Sequence, residues 1–180
     1  MPKGQHLTLW TWNVGSNLEP VADAFLNPEG LIVNRLGDPT GKISEDPIDL
    51  RVFAGRGERK RFALTSDDWA LQAFATAVPF PIEQFSDGCK LAVEMSAPNY
   101  AGVVLKGSGF QPNEQLTVEL ASGPEGSKNL ATATPTGTFT AAFLPSVKGQ
   151  QSGMASAMLT SPKCSVAVQF PWGDGSYKIQ

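Results

Sequence analysis

The chain has 180 residues, of which 41% are hydrophobic and 17% charged, with 18 Gly, 14 Pro and a formal net charge of −3. That apolar share suffices for a packed core, while the Gly and Pro content marks a turn-rich chain short of the disordered range. No apolar run reaches the roughly 18 residues of a membrane-spanning helix, no collagen or heptad period is present, and the acidic balance offers nucleic acid no electrostatic hold, so those classes fall away.

From the N-terminus, M-P-K-G-Q-H-L-T-L-W carries neither an apolar h-region nor a small-residue cleavage site. The sparse charge and abundant Ser, Thr, Gly and Ala point to an exported chain whose leader is already missing, a cytosolic chain being the other reading. Residues 7–13 (L-T-L-W-T-W-N) alternate as a strand, with Leu7 and Leu9 on one face and Trp10 and Trp12 on the other. Such a doubly apolar strand suits burial between layers, insertion into a neighbouring molecule, or a pair of indoles stacking on a glycan. Further strands are expected at 31–35, 48–54 and 59–65, the last two as a hairpin across Gly55-Arg56-Gly57-Glu58. One short helix is expected over 66–78, with Ser66 as cap, Asp67 and Asp68 at its positive end and Pro79 as its stop; an extended segment is the alternative. P-F-P-I-E-Q-F-S-D-G, before Cys89, reads as a connector.

The second half is more regular. Seven short alternating runs (90–96, 101–106, 115–121, 128–134, 137–143, 153–160 and 164–170) are separated by Gly-, Pro- and Asn-containing turns, the pattern of a small antiparallel sandwich. Charge is uneven as well: 20 of the first 89 residues are charged and only 11 of the remaining 91. The expected organisation is a β-rich region at 1–88 with an extended N-terminal strand, and a sandwich at 89–180.

Cys89 and Cys164 are the only cysteines and head two runs of one pattern, C-K-L-A-V-E-M and C-S-V-A-V-Q-F. If those strands lie side by side and parallel, the two thiols meet as a disulfide; free buried thiols, or equivalent positions of an internal repeat, are the alternatives.

G-S-G-F-Q-P-N-E-Q-L-T-V-E-L (107–120) and T-P-T-G-T-F-T-A-A-F (134–143) resemble the turn-and-strand motifs of bacterial secreted and surface immunoglobulin-like domains. The resemblance covers about 90–172 and implies a mainly β fold, an immunoglobulin-like antiparallel β-sandwich preceded by the second β-rich region with at most one short helix. It implies structural roles: positive φ at Gly107 and Gly109, a plug at Phe110 and a turn set by Pro112. The Trp-plus-Cys core of antibody domains is absent, and no catalytic residue comes with the likeness.

Catalytic constellations are missing. There is no G-x-S-x-G elbow, and the single histidine, His6, lies in what reads as a loose terminus. Asp67 and Asp68 read as capping groups. The loop with Asp38, Glu45, Asp46 and Asp49 lacks the order of a calcium loop, so neither a metal nor a cofactor is expected. Arg56, Arg59, Lys60 and Arg61 form a basic cluster, either a polyanion patch or the charged flank of an edge strand.

The expected function is that of a non-catalytic, exported structural or adhesive protein, in the finer reading a fibre subunit. Its partners are copies of itself or another surface protein, joined through Leu7, Leu9, Trp10 and Trp12 of a donated N-terminal strand. The alternative is a carbohydrate- or surface-binding module using Trp10, Trp12 or Trp69.

Overall fold

The computed structural model describes residues 5–37, 43–48 and 53–177. The described residues form strands and turns, with one 3-10 turn at Pro98–Tyr100. The chain divides into two units: Met1–Val52 with Lys60–Ala77, and Phe53–Arg59 with Val78–Gln180.

The second unit is a two-layer sandwich. One sheet has the order β12 (Thr138–Phe143), β9 (Gly102–Ser108), β8 (Cys89–Ala97), β7 (Ile82–Ser86); the other has β11 (Glu125–Thr132), β10 (Gln115–Ser122), β13 (Ser152–Thr160), β14 (Ser165–Gly173). All pairings are antiparallel. With β8–β14 taken as A, B, C, C′, E, F and G, the sheets read E-B-A and C′-C-F-G. This is the immunoglobulin-like arrangement with the fourth strand beside the third rather than beside the fifth, as it is in constant-type domains. Alternation builds the core: Leu91, Val93 and Met95 of β8 and Val103 and Leu105 of β9 meet Leu116, Leu159, Val166, Val168 and Phe170 of the facing sheet.

All seven strands expected after residue 89 are present. The motif residues hold the roles the resemblance implied, with one correction. Phe110 is buried, and Pro112 opens a turn closed by Glu114 N–H on Gln111 O, with Asn113 at φ +59. Gly109 has φ +90. Gly107 does not take positive φ; a Cβ there would lie 2.7 Å from Leu159 and 2.8 Å from Phe110, so glycine makes room for the plug. The segment 79–88, expected as a connector, carries β7, which extends the first sheet beyond β8.

Cys89 and Cys164 form a disulfide with a Cα–Cα distance of 6.3 Å. The expected side-by-side pairing of their strands is not how they meet. β8 bonds to β7 and β9, and β14 to β13, so the bridge crosses the core between sheets. β8 and β14 do run the same way, because at their far ends Ser176 Oγ donates to Asn99 O.

The first unit is a single antiparallel six-stranded sheet: β4 (Ile43–Pro47), β3 (Ile32–Gly37), β2 (Glu19–Leu26), β1 (His6–Trp12), β5 (Lys60–Ser66), β6 (Gln72–Ala77). The expected hairpin of 48–54 with 59–65 is not formed. Both flanks of β5 are taken, by β1 and β6, and residues 49–52 lie outside the described residues.

The helix expected over 66–78 is replaced by a turn and β6. Ser66 and Asp68 act as turn closers: Ser66 Oγ donates to Asp68 Oδ1 (2.5 Å) and accepts from Leu71 N–H (3.0 Å), while Asp68 Oδ1 also accepts from Ala70 N–H. These bonds hold the Asp68 carboxyl below its usual range, the Ser66 hydroxyl foremost. Trp69 takes φ +58 and ends any helical path, after which Q-A-F-A-T-A alternates as a strand.

Candidate functional site

β1 lies in the interior of its sheet, with β2 on one side and β5 on the other over nearly its whole length. With both flanks paired inside its own sheet, β1 is not an unpaired strand that Leu7, Leu9, Trp10 and Trp12 could carry into a neighbour in this fold. Leu7 is buried against Ala24 and Ser66 in register, and Leu9, Trp10 and Trp12 are half-buried. β1 thus pairs inside one sheet, and of its residues only Leu7 is fully buried, so the burial between two layers expected of a doubly apolar strand is only partial.

The two faces of this sheet differ. On one, the register places Leu9 beside Leu64 and Ala22, and Phe62 beside Ala75. Leu9, Phe62, Leu64, Ile32 and Ile48 border a groove of about 470 Å³ whose lining is largely apolar. Ile32 is 46% exposed and, at the sheet's end, Phe74 is 68% exposed. Exposed apolar groups beside an apolar groove make this face the candidate contact surface. The signal in the sequence was the alternation of Phe62 and Leu64 on β5, which reads equally well as core.

On the opposite face Trp69 packs against Trp10, with ring centroids 5.6 Å apart and planes inclined by 34°, and the Trp10 indole N–H donates to Thr65 Oγ1 (2.9 Å). Trp10 therefore spends one ring face on another indole and its donor on a neighbouring strand. The flat Trp10–Trp12 platform expected for a sugar is not presented; Trp69, 46% exposed, is the most accessible of the three.

His6 is the first residue of β1 rather than part of a loose end. Its Nδ1 lies 2.7 Å from Asp67 and its Nε2 3.2 Å from Asp23, so both ring nitrogens meet carboxylates and neither faces a nucleophile. The Asp67 hydrogen bond, reinforced by Asp23 against modest desolvation, raises its pKa above 6.5.

The four residues of the basic cluster have different surroundings. Arg56 is exposed and Lys60 is buried within β5. Arg59 pairs with Glu94, whose other oxygen takes Lys106 Nζ at 2.6 Å. Burial alone would raise the Glu94 carboxyl, yet Lys106 and Arg59 bring it below its usual range. Arg61 lies opposite Trp12 in register. Along the chain the four are close, but Arg56 and Arg59 belong to the second unit and Lys60 and Arg61 to β5 of the first. Of the acidic loop, Asp38 and Asp49 lie outside the described residues, and Glu45 and Asp46 are on β4. Among the described residues no three His, Cys, Asp or Glu side chains stand together as a metal site would require.

Phe53–Arg59 is embedded in the sandwich unit. Gly57 N–H donates to Phe80 O, Met95 N–H to Gly57 O, and the Tyr100 hydroxyl to Arg56 O. Glu58 is 2% exposed, and its Oε2 accepts from Gly55 N–H (2.8 Å) and the Tyr177 hydroxyl (2.7 Å). Burial, then the Glu58 hydrogen bond, pushes Tyr177 up to about 12, so it stays a donor at all ordinary pH. This network pins Phe53–Arg59 as a strap on the sandwich unit.

No helix among the described residues is long and apolar enough to cross a membrane. No family model matches the chain, and no curated protein matches it. A solved structure, a tetra-tandem repeat in the extending region of a large adhesion protein, aligns over 98% of this chain at 10% identity with a TM-score of 0.37. The chain spans 43% of that protein's length.

Proposed function

We propose that this chain is a non-catalytic structural or adhesive module of an exported protein, in which the sandwich is a stiff spacer and the first unit's sheet makes the contact. The observation that carries the reading is the largely apolar groove beside Leu9, Phe62 and Leu64, open to solvent next to the exposed Ile32. The disulfide supports an extracellular setting, since such bonds persist in oxidising compartments. His6 locked between two carboxylates and Glu58 sealed by Tyr177 support a role without acid–base chemistry.

Display of the chain on a non-adherent bacterial cell tests it. Attachment to surfaces coated with other surface proteins is expected to rise, and to fall with Ile32→Asn, an exposed position where the change leaves the fold intact. Display of folded, oxidised chain without any gain in attachment refutes the reading. A gain confined to polysaccharide coatings and abolished by Trp69→Ala replaces it with glycan binding.

A further inference from the structure

An edge strand presents unpaired N–H and C=O groups, and natural sheets protect such edges with charges, prolines or bulges. The first unit has two edges. β4 (I-S-E-D-P) carries Glu45, Asp46 and Pro47. β6 (Q-A-F-A-T-A) has no charge, no proline and no register shift, and every residue of it is exposed. Among the described residues its only strand neighbour is β5. In the second unit β7, β11 and β14 carry Glu83, Glu125 with Lys128, and Pro171 respectively; β12 is neutral, but Phe139 and Phe143 turn it into the core.

The hydrogen-bond phase of β6 follows from its turn. Ser66 N–H donates to Leu71 O (3.0 Å), which makes 66/71 a hydrogen-bonded pair. In the antiparallel register Lys60↔Ala77 to Thr65↔Gln72, bonded and non-bonded pairs alternate, so 64/73, 62/75 and 60/77 are bonded. Ala73, Ala75 and Ala77 therefore point their backbone groups to β5, while Gln72, Phe74 and Thr76 point theirs outward.

This outward set is its own complement about Phe74: a polar side chain at each end and an aromatic ring in the middle. We propose that two copies of the chain pair antiparallel through β6 about a two-fold axis, with Phe74 opposite the second copy's Phe74, and Gln72 opposite its Thr76. In that register each of the three pairs exchanges both backbone bonds, and the phenyl rings meet on one face. A second copy is the fitting occupant because its strand brings no charge to a neutral edge and matches its polar and apolar positions exactly once. The contact is isologous and the sheet's other edge is charged, so association through β6 stops at two copies. The inference holds whether or not the module is adhesive.

Sedimentation of the whole oxidised chain over a concentration series, with amide hydrogen exchange at both ends of the series, tests it. A monomer–dimer equilibrium is expected. The Gln72, Phe74 and Thr76 amides become protected only at high concentration, whereas those of Ala73, Ala75 and Ala77 are protected throughout. Thr76→Pro removes an outward N–H without touching the β5 ladder and is expected to weaken dimerisation by about tenfold or more. Phe74→Lys, which leaves the backbone unchanged, gives the same result and decides the matter if Thr76→Pro does not fold. A protein that stays monomeric into the millimolar range, or a dimer indifferent to both substitutions, overturns the proposal.

Discussion

Reduction of the Cys89–Cys164 bridge offers a direct measure of how far the sandwich depends on it. The cysteines are 75 residues apart in sequence, so the bond closes most of the second unit into one loop. In the chain-entropy treatment, closing a loop of that size removes denatured-state freedom worth about 4 kcal/mol. For a unit of roughly 100 residues, where each kcal/mol moves the midpoint by about 4 °C or more, the expected fall is on the order of 15 °C. Because both sulfurs stay in the core, reduction changes the denatured chain more than native packing, which makes it cleaner than replacement by Ala. Calorimetry with and without a reductant, with thiol titration confirming full reduction, is the assay. The first unit contains no cysteine among its residues, so only the transition of the sandwich is expected to move. A shift of less than about 3 °C with both thiols titratable would refute the reasoning, since it would mean the closed loop scarcely constrains the unfolded ensemble.

Two further outcomes are expected. His6 is the only histidine, and its pKa is raised in the fold by Asp67 and Asp23. Protonation therefore favours the folded state: the contribution is complete below about pH 6.5 and fades as pH rises through the folded pKa. It amounts to less than about 1 kcal/mol at so exposed a site. Proton NMR of the ring is expected to titrate with a midpoint above 6.5, and His6→Gln to flatten the pH dependence of the first unit's melting; a midpoint at or below 6.5 contradicts the geometry. Gly109 and Gly88 both have positive φ, but a Cβ at Gly109 falls 2.2 Å from Gly88 O, while one at Gly88 meets nothing within 4 Å. Gly109→Ala is expected to cost about 3 kcal/mol or more and Gly88→Ala about 1 kcal/mol in denaturant titrations, equal effects being the adverse result.

The sandwich was legible because its strands carry branched and aromatic residues at period two and its turns carry Gly and Pro where backbone geometry demands them. β7 was obscured by Pro79 and Pro81, which mark a connector but also tolerate an edge. The first unit was harder to read. β2 (E-P-V-A-D-A-F-L) and β6 use alanine at alternate positions, and alanine carries no strand signal while favouring helix. Ser66-Asp67-Asp68 shows the limit of local chemistry: the same side chains cap a helix or close a turn, and the Trp69–Trp10 contact, invisible along the chain, accompanies the second. The cysteine pairing was readable from matching contexts, but not that the bond crosses the core. Likewise, two apolar faces on β1 indicated burial without saying which strands supply it, and neither the groove beside Leu9 nor the uncharged edge at β6 shows in the local pattern.

The strap at Phe53–Arg59 has a consequence for how this chain can be divided. The polypeptide leaves the first unit, ties Glu58 beneath Tyr177, and goes back to complete the sheet with β5 and β6. No single cut then yields two intact halves. Ending a fragment at Ala77 retains the whole six-stranded sheet but carries away the strap, stripping the Glu58 carboxylate from the Tyr177 hydroxyl and Arg56 O from Tyr100. In genetic terms the two units form one inheritable cassette: recombination can move them together, whereas a breakpoint between them damages the sandwich it was meant to release.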